Sequence, residues 1–170
     1  YKTRSGDAVG LEGLLDEAVR KAFEVVSAND DGKPNGPELD EATRNHIADV
    51  VGHGAIKYAD LSHNRTSDYV FSYDKMMALE GNTATYMQYC YARVQSIFRK
   101  GHVELAELRR SPQAIVLGHE AERALAMMLL RYSEALDNVL DEYRPNQLTN
   151  YLFDLAKRFS LFFEQCPVLK

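Results

Sequence analysis

Hydrophobic and polar residues follow one another along most of the chain with the spacing of amphipathic helices. In the first such stretch, apolar residues recur at three- and four-residue steps: Leu11, Leu14, Leu15, Ala18, Val19, Ala22, Phe23 and Val26. This spacing places them on one helix face, and Asp7 upstream is a possible cap. The segment "DDGKPNGP" then interrupts the pattern. The sequence therefore predicts a first helix over residues 11–29.

A second helix is predicted to open at Pro37 and to run through "PELDEATRNHIADVVGHGAIKYADLS". Gly52 and Gly54 inside it either weaken the helix or mark a close approach of another helix. The following "NRTSDYVFSYD" has β-branched and aromatic residues without helical spacing, which indicates a loop or short extended segment. "KMMALEG" predicts a short helix, and a long helix follows from Thr83 to about Lys100.

The remaining chain continues the helical pattern. "RRSPQ" breaks it, "HEAERALAMMLLRYSEALDNVLDEYR" predicts one or two helices ended by Pro145, and "NQLTNYLFDLAKRFSLFFEQ" predicts a last amphipathic helix that stops at Cys166 and Pro167. The predicted fold class is all-α, a helical bundle.

Composition limits the kind of protein. The chain has 170 residues, 45% of them hydrophobic, which suits one domain or a large part of a longer protein. Because there is no initiator Met, we expect the chain to begin inside a longer protein or to have been processed. No apolar run has the length of a membrane span, and the N-terminus is no signal peptide. The only cysteines, Cys90 and Cys166, favour a reducing, cytoplasmic compartment.

Charge is unevenly distributed along the chain. The net charge of -5 argues against a generally basic nucleic-acid-binding surface. Residues 82–110 nevertheless carry +3 and residues 143–170 carry +2, whereas residues 1–60 carry -5 and residues 111–142 carry -4. If the two basic stretches pack side by side, they produce a local positive field.

Few residues point to catalysis or to a metal. "HEAER" is not the zinc motif HExxH, because Arg123 stands where the second His is required. His46 and His53 share a helix face, but no further ligands accompany them, so we expect no metal site. Both cysteines are expected to be structural.

The helix over residues 83–100 carries two stripes. Met87, Cys90, Val94 and Ile97 form an apolar stripe. A second stripe, displaced by about 100°, contains Tyr86, Tyr89, Arg93, Ser96 and Lys100. Such a surface suits unpaired nucleotides, because aromatic rings stack on the bases while the neighbouring cations bind the phosphates. The last helix repeats the pattern more weakly, with Tyr151 near Lys157 and Arg158.

Two other interpretations of these residues stay open. Tyr86, Tyr89 and Tyr151 can be residues at the edge of the core whose hydroxyls reach water. Alternatively, the Tyr/Arg face belongs to a helical protein–protein interaction module, since both residue types are enriched in binding hot spots.

Three segments resemble one family. "GAIKYADLSHNRTSDYVFSYDKMMALEGNTATYMQYCYARVQSIFRK" closely resembles the region that follows the catalytic domain of arginyl-tRNA synthetases. "RPNQLTNYLFDLAKRFSLFFEQCPVL" is similar to their helical DALR-type anticodon-binding domain, and "YKTRSGDAVGLEGLLDEA" to the segment that leaves the catalytic domain. The resemblance implies two parts: residues 1–36, which leave the catalytic domain, and residues 37–170, a DALR-type domain shortened at its C-terminus.

The resemblance also implies a function. The whole enzyme would be a class I synthetase that joins arginine to its tRNA, with ATP and Mg²⁺. The nucleotide-binding domain does not occur in this sequence, so we expect the chain alone to be inactive and to hold no cofactor. Its expected partners are the stem and anticodon loop of arginine tRNA and the catalytic domain of the same protein, and it is expected to be a monomer.

The same resemblance implies roles for individual residues. Tyr86, Tyr89 and, less directly, Tyr151 match positions that meet anticodon-loop nucleotides, and Asn82 and Gln88 belong to the same motif. With the stripe cations Arg93 and Lys100, they form the expected tRNA-binding set. A separate possible remnant of the ATP-site loop comprises Lys2, Thr3 and Arg4.

Two positions depart from the family pattern. Thr85 stands where the family usually has Pro, and Cys90 where it usually has Ala. Proline in a first turn fixes φ, so this change alters the start of the helix, although threonine is able to serve as a cap there.

Overall fold

The computed structural model describes residues 10–111 and 114–169, and within those ranges all regular secondary structure is α-helical. The helices are α1 Leu11–Asp31, α2 Glu41–Ser62, α3 Tyr73–Met76, α4 Ala84–Lys100, α5 Leu105–Arg110, α6 Glu120–Leu130, α7 Tyr132–Glu142 and α8 Pro145–Gln165. The all-α prediction is confirmed. Asp7, Lys2, Thr3 and Arg4 lie outside the described residues.

The chain forms two compact units. The first contains the described residues up to Asp60 together with Tyr69–Leu79 and Thr83–Thr85. The second contains Leu61–Asp68, Glu80–Asn82 and the described residues from Tyr86 onward.

In the first unit, small residues bring α1 and α2 close together. Ala18 and Ala22 of α1 are buried, as is Ala55 of α2. A Cβ atom added to Gly52 would lie 2.7 Å from the backbone nitrogen of Val19. Of the two interpretations of Gly52, the structure therefore supports the close helix approach.

Asp30, at the end of α1, organises the connection to α2. Its carboxylate accepts hydrogen bonds from the backbone nitrogens of Glu38 and Leu39, at 3.1 and 3.0 Å. It also pairs with Lys33 and Arg44, each at 2.8 Å. The hydrogen bond from Lys33, followed by those from the backbone and from Arg44, holds the pKa of Asp30 well below its usual range, although burial acts in the opposite direction.

The predicted start of the second helix at Pro37 is wrong by four residues, because α2 begins at Glu41. The backbone of Glu38 and Leu39 is bound to Asp30 instead of entering a helix. Asp40 then supplies the cap, since its carboxylate accepts from the backbone nitrogen of Thr43 at 2.7 Å.

A small core and a hydrogen bond between α3 and α1 complete the first unit. Ala55, Ala59 and Met76 form a buried cluster against which Phe71 packs. The Tyr73 hydroxyl donates to the carbonyl of Leu14 at 3.2 Å, which ties α3 to α1. The chain before α3 is irregular over residues 63–72, as predicted.

In the second unit, α6 and α7 both pack against α8. They are two helices that meet at Arg131. Pro145 was predicted to end them, but α7 already ends at Glu142, and Tyr143 turns the chain in a left-handed conformation with φ of 51°. Pro145 is instead the first residue of α8, a position where its fixed φ and missing N–H are tolerated.

Candidate nucleic-acid interface

Four members of the predicted Tyr/Arg stripe line one open groove in the second unit. Tyr89, Arg93, Ser96 and Lys100 all project from α4 into it, because their spacing repeats the helical period. The groove has a volume of about 490 Å³. Its opposite wall comprises Phe163 at the end of α8 and residues 167–169 beyond it.

Arg93 lies between two aromatic rings. The centre of its guanidinium is 4.6 Å from the ring centroid of Tyr89 and 4.7 Å from that of Phe163. One guanidinium nitrogen also donates to the Tyr89 hydroxyl. These are cation–π distances, so the groove combines a positive charge with aromatic faces from two helices.

The opposite wall of the groove was not predicted from the sequence. Pro167, Val168 and Leu169 follow the end of α8 and line the groove. Leu169 approaches the end of α4 closely, since a Cβ atom at Gly101 would lie 3.1 Å from the Leu169 Cδ2 atom. The signal available in the sequence was the apolar run "CPVL" after a helix stop.

Tyr86 lies outside this groove and packs between α4 and α8. Its ring meets Phe153 edge to face, with centroids 5.9 Å apart. Its hydroxyl and that of Ser160 are 3.2 Å apart, and the Cys90 sulfur is 4.0 Å from the same Ser160 oxygen. Tyr86 therefore fixes the position of α4 against α8.

Tyr151 is buried in the interior of the second unit. Only 8% of its surface is exposed, and its hydroxyl donates to the carbonyl of Met128 at 2.9 Å. Burial, with a smaller effect from Tyr132, raises the pKa of Tyr151. A buried and bonded hydroxyl is typical of a packing residue.

The other predicted site residues lie at the start of α4 or near it. Asn82 donates from Nδ2 to Oδ1 of Asn150 at 3.2 Å, and Gln88 is half-buried. Thr85 is the second residue of α4. Its hydroxyl oxygen is buried and has no hydrogen-bond partner within the part of the chain that the structure describes, so Thr85 does not cap the helix.

Neither a metal centre nor a membrane span is found in residues 10–111 and 114–169. No three His, Cys, Asp or Glu side chains in these ranges are grouped so that they could hold a metal ion. No helix there combines the length and the apolar character needed to cross a bilayer.

Sequence comparison relates the two ends of the chain to two family descriptions. Residues 87–170 match the DALR anticodon binding domain. Residues 1–73 match the catalytic domain of class I tRNA synthetases (R). The division after residue 36 stays a prediction.

Individual relatives agree with these matches. The arginine–tRNA ligase of Rhodopirellula baltica is 49% identical over 176 residues, which include 99% of this chain and 26% of that protein. That of Hahella chejuensis is 49% identical over 170 residues, with 100% of this chain and 28% of that protein. The chain thus spans only about a quarter of the length of these relatives.

Two solved structures share the fold. Arginyl-tRNA synthetase from Plasmodium falciparum superimposes with a TM-score of 0.82 at 30% identity, over 95% of this chain and 28% of that one. The Thermus thermophilus enzyme gives a TM-score of 0.74 at 30% identity, over 94% of this chain and 24% of that one.

Proposed function

The chain belongs to the arginyl-tRNA synthetase family, and from this premise we propose that the whole protein joins arginine to its tRNA in an ATP-dependent reaction. Within that protein, the residues of this chain bind the tRNA at its anticodon loop and stem. The chain by itself is not expected to aminoacylate, because it matches the catalytic-domain description only over residues 1–73.

The groove between α4 and the end of α8 is the observation that carries the RNA-binding role. It offers the rings of Tyr89 and Phe163 together with the cations Arg93 and Lys100. Unpaired bases stack on such rings while the cations meet the phosphates that flank them. Its volume of about 490 Å³ lies in the range of small-ligand sites, which supports one or two splayed bases as occupants.

The three tyrosines of the expected tRNA-binding set take different parts in this proposal. Tyr89 is the stacking residue, because 46% of its surface is exposed and it lines the groove. Tyr86 supports the groove through Phe153 and Ser160, and Tyr151 supports the packing of α8. Asn82 and Gln88 lie apart from the groove, near the start of α4, and would contact a different part of the RNA.

The setting of the whole protein follows from the same family membership. We infer a requirement for ATP and Mg²⁺ in the complete enzyme, contact between this chain and the rest of the catalytic domain, a monomeric state and a cytoplasmic location. Two free cysteines are compatible with a reducing compartment.

Replacing Tyr89 by alanine tests the proposal. We expect Tyr89→Ala to weaken binding of an RNA hairpin that carries an arginine anticodon loop by roughly 5- to 150-fold, since stacking on one ring contributes about 1–3 kcal/mol per base. Affinity is measured by fluorescence anisotropy of the labelled hairpin. Circular dichroism should show an unchanged melting temperature, because the Tyr89 side chain lies at the surface.

Tyr91→Ala is the matched control. Tyr91 lies two residues away on α4 and is 67% exposed, but it does not line the groove. Its removal should leave hairpin affinity unchanged. Equal losses for Tyr89→Ala and Tyr91→Ala would reject the groove as the binding site, and loss of binding together with a lowered melting temperature would assign Tyr89 to packing.

A further inference from the structure

We propose that Arg93 makes the groove selective for a ring that carries a phosphate over a ring without one, because its guanidinium occupies the stacking position until a phosphate draws it away. This inference rests on the proposed function and concerns how the same groove chooses its ligand. The guanidinium is 4.6 Å from the Tyr89 centroid and 4.7 Å from the Phe163 centroid. An incoming base needs the same ring faces.

The shape of the guanidinium suits this exchange. It is planar, it stacks on aromatic faces, and it binds phosphate through two parallel hydrogen bonds. In the chain without RNA, it therefore takes the place of a base between the rings. Once displaced, it is still attached to α4, within reach of a phosphate next to the stacked base.

The charges around the groove determine what happens to the displaced cation. Among the described residues that line the groove, none is Asp or Glu, and Lys100 is the neighbouring charge. A displaced Arg93 therefore gains no carboxylate partner from the groove wall. A bare ring would break the cation–π contacts of Arg93 and its hydrogen bond to the Tyr89 hydroxyl, and only water would replace them. A nucleotide also supplies an anion that compensates for their loss.

Adenosine and adenosine monophosphate test the selectivity, because they share a ring and differ by a phosphate. Binding of each to the full 170-residue chain is measured by NMR shift titration, for the wild type and for Arg93→Ala. We expect Arg93→Ala to bind adenosine roughly threefold more tightly, because the competing cation–π contacts are removed. The preference for the monophosphate should fall by roughly tenfold.

Arg99→Ala provides the control for loss of one positive charge. Arg99 is an exposed arginine on the same helix that does not line the groove. It should leave adenosine affinity as in the wild type. An adenosine affinity that is unchanged or lower in Arg93→Ala would overturn the proposal, because a residue that merely contacts phosphate or supports the fold cannot increase binding of a neutral ring when it is removed.

A second measurement needs no variant. In the free chain, the two rings should shift the Arg93 δ-methylene protons upfield, and binding of adenosine monophosphate should abolish that shift. Retention of the ring-current shift at saturation would contradict displacement.

The RNA hairpin separates the two proposals. If the hairpin fails to bind the wild type but Arg93→Ala still gains adenosine affinity, anticodon binding is wrong and the masking role of Arg93 stands. If the hairpin binds the wild type and Arg93→Ala does not gain adenosine affinity, anticodon binding stands and the masking role of Arg93 is wrong.

Discussion

Tyr89 and Tyr151 have the same side chain, yet 46% of the surface of Tyr89 is exposed and only 8% of that of Tyr151. The difference arises from their neighbours. Tyr89 faces a groove with Arg93 on its ring, whereas the Tyr151 hydroxyl is bonded to a backbone carbonyl of α6. At the residue scale, the partners of each hydroxyl and ring therefore separate the binding role that we propose for Tyr89 from the packing role of Tyr151.

Asp30 offers a test of a single buried charge. We expect Asp30→Asn to lower the melting temperature at pH 7 by roughly 5 °C or more, because Lys33 and Arg44 lose a charged partner while the amide cannot replace every hydrogen bond. The measurement is thermal unfolding followed by circular dichroism.

The pH dependence of this effect has a definite direction. The pKa of Asp30 is lower in the folded chain than in the unfolded chain, where it is about 3.9. The stabilisation is therefore complete above about pH 5 and is lost as the pH falls below about 4 towards the folded-state pKa. The difference between the wild type and Asp30→Asn should shrink over that interval. Asp31→Asn, which removes a more exposed partner of Arg44, should have a much smaller effect.

At the scale of elements, the contact between α1 and α2 depends on a residue without a side chain. Gly52 faces the backbone of α1, and the atoms nearest to an added Cβ are Val19 N, Val19 Cα and Ala18 C, at 2.7, 2.8 and 2.9 Å. These are all main-chain atoms, which cannot move aside as a flexible side chain would. The two helices must separate to admit a methyl group.

We therefore expect Gly52→Ala to destabilise the chain by about 1–3 kcal/mol, the usual cost of overpacking, although alanine favours a helix more than glycine does. Chemical denaturation followed by circular dichroism measures the change. Gly10→Ala is the control, because no atom lies within 4 Å of a Cβ at Gly10. A stability that rises in Gly52→Ala would mean that helix propensity outweighs the close approach.

At the scale of the whole molecule, the overall charge and the proposed partner have the same sign. The chain has 20 basic and 25 acidic residues, yet the helices α4 and α8 from its two basic stretches are in contact through Tyr86, Phe153 and Ser160. The cations that line the groove, Arg93 and Lys100, both lie on α4, whereas the basic and acidic residues within α8 balance each other. The attraction of RNA that we propose therefore depends on the local charge of one surface and not on the net charge of the chain.

Salt dependence of hairpin binding tests this localisation. We expect affinity to fall steeply as salt rises, because bound counterions are released from the phosphates. Lys100→Gln should make the slope of log K against log salt less steep by about 0.7, the value for one phosphate contact to a single strand. Lys75→Gln, which removes an exposed cation from the other compact unit, should leave the slope unaltered. Affinity independent of salt would favour the protein-interaction alternative.

Periodicity by itself determined the helical class, the limits of α4 and the shared face of Tyr89, Arg93, Ser96 and Lys100. It did so because the 3.6-residue repeat of a helix is a local property of the chain. Only the tertiary structure decided that Phe163 and Leu169 form the opposite wall of the groove, that Tyr151 is buried, and that Asp30 holds the chain before α2. The groove wall and the burial of Tyr151 depend on contacts between residues far apart in sequence. The role of Asp30 depends on bonds to an irregular connection eight and nine residues further on. The spacing of residues within one helix contains no information about either kind of contact.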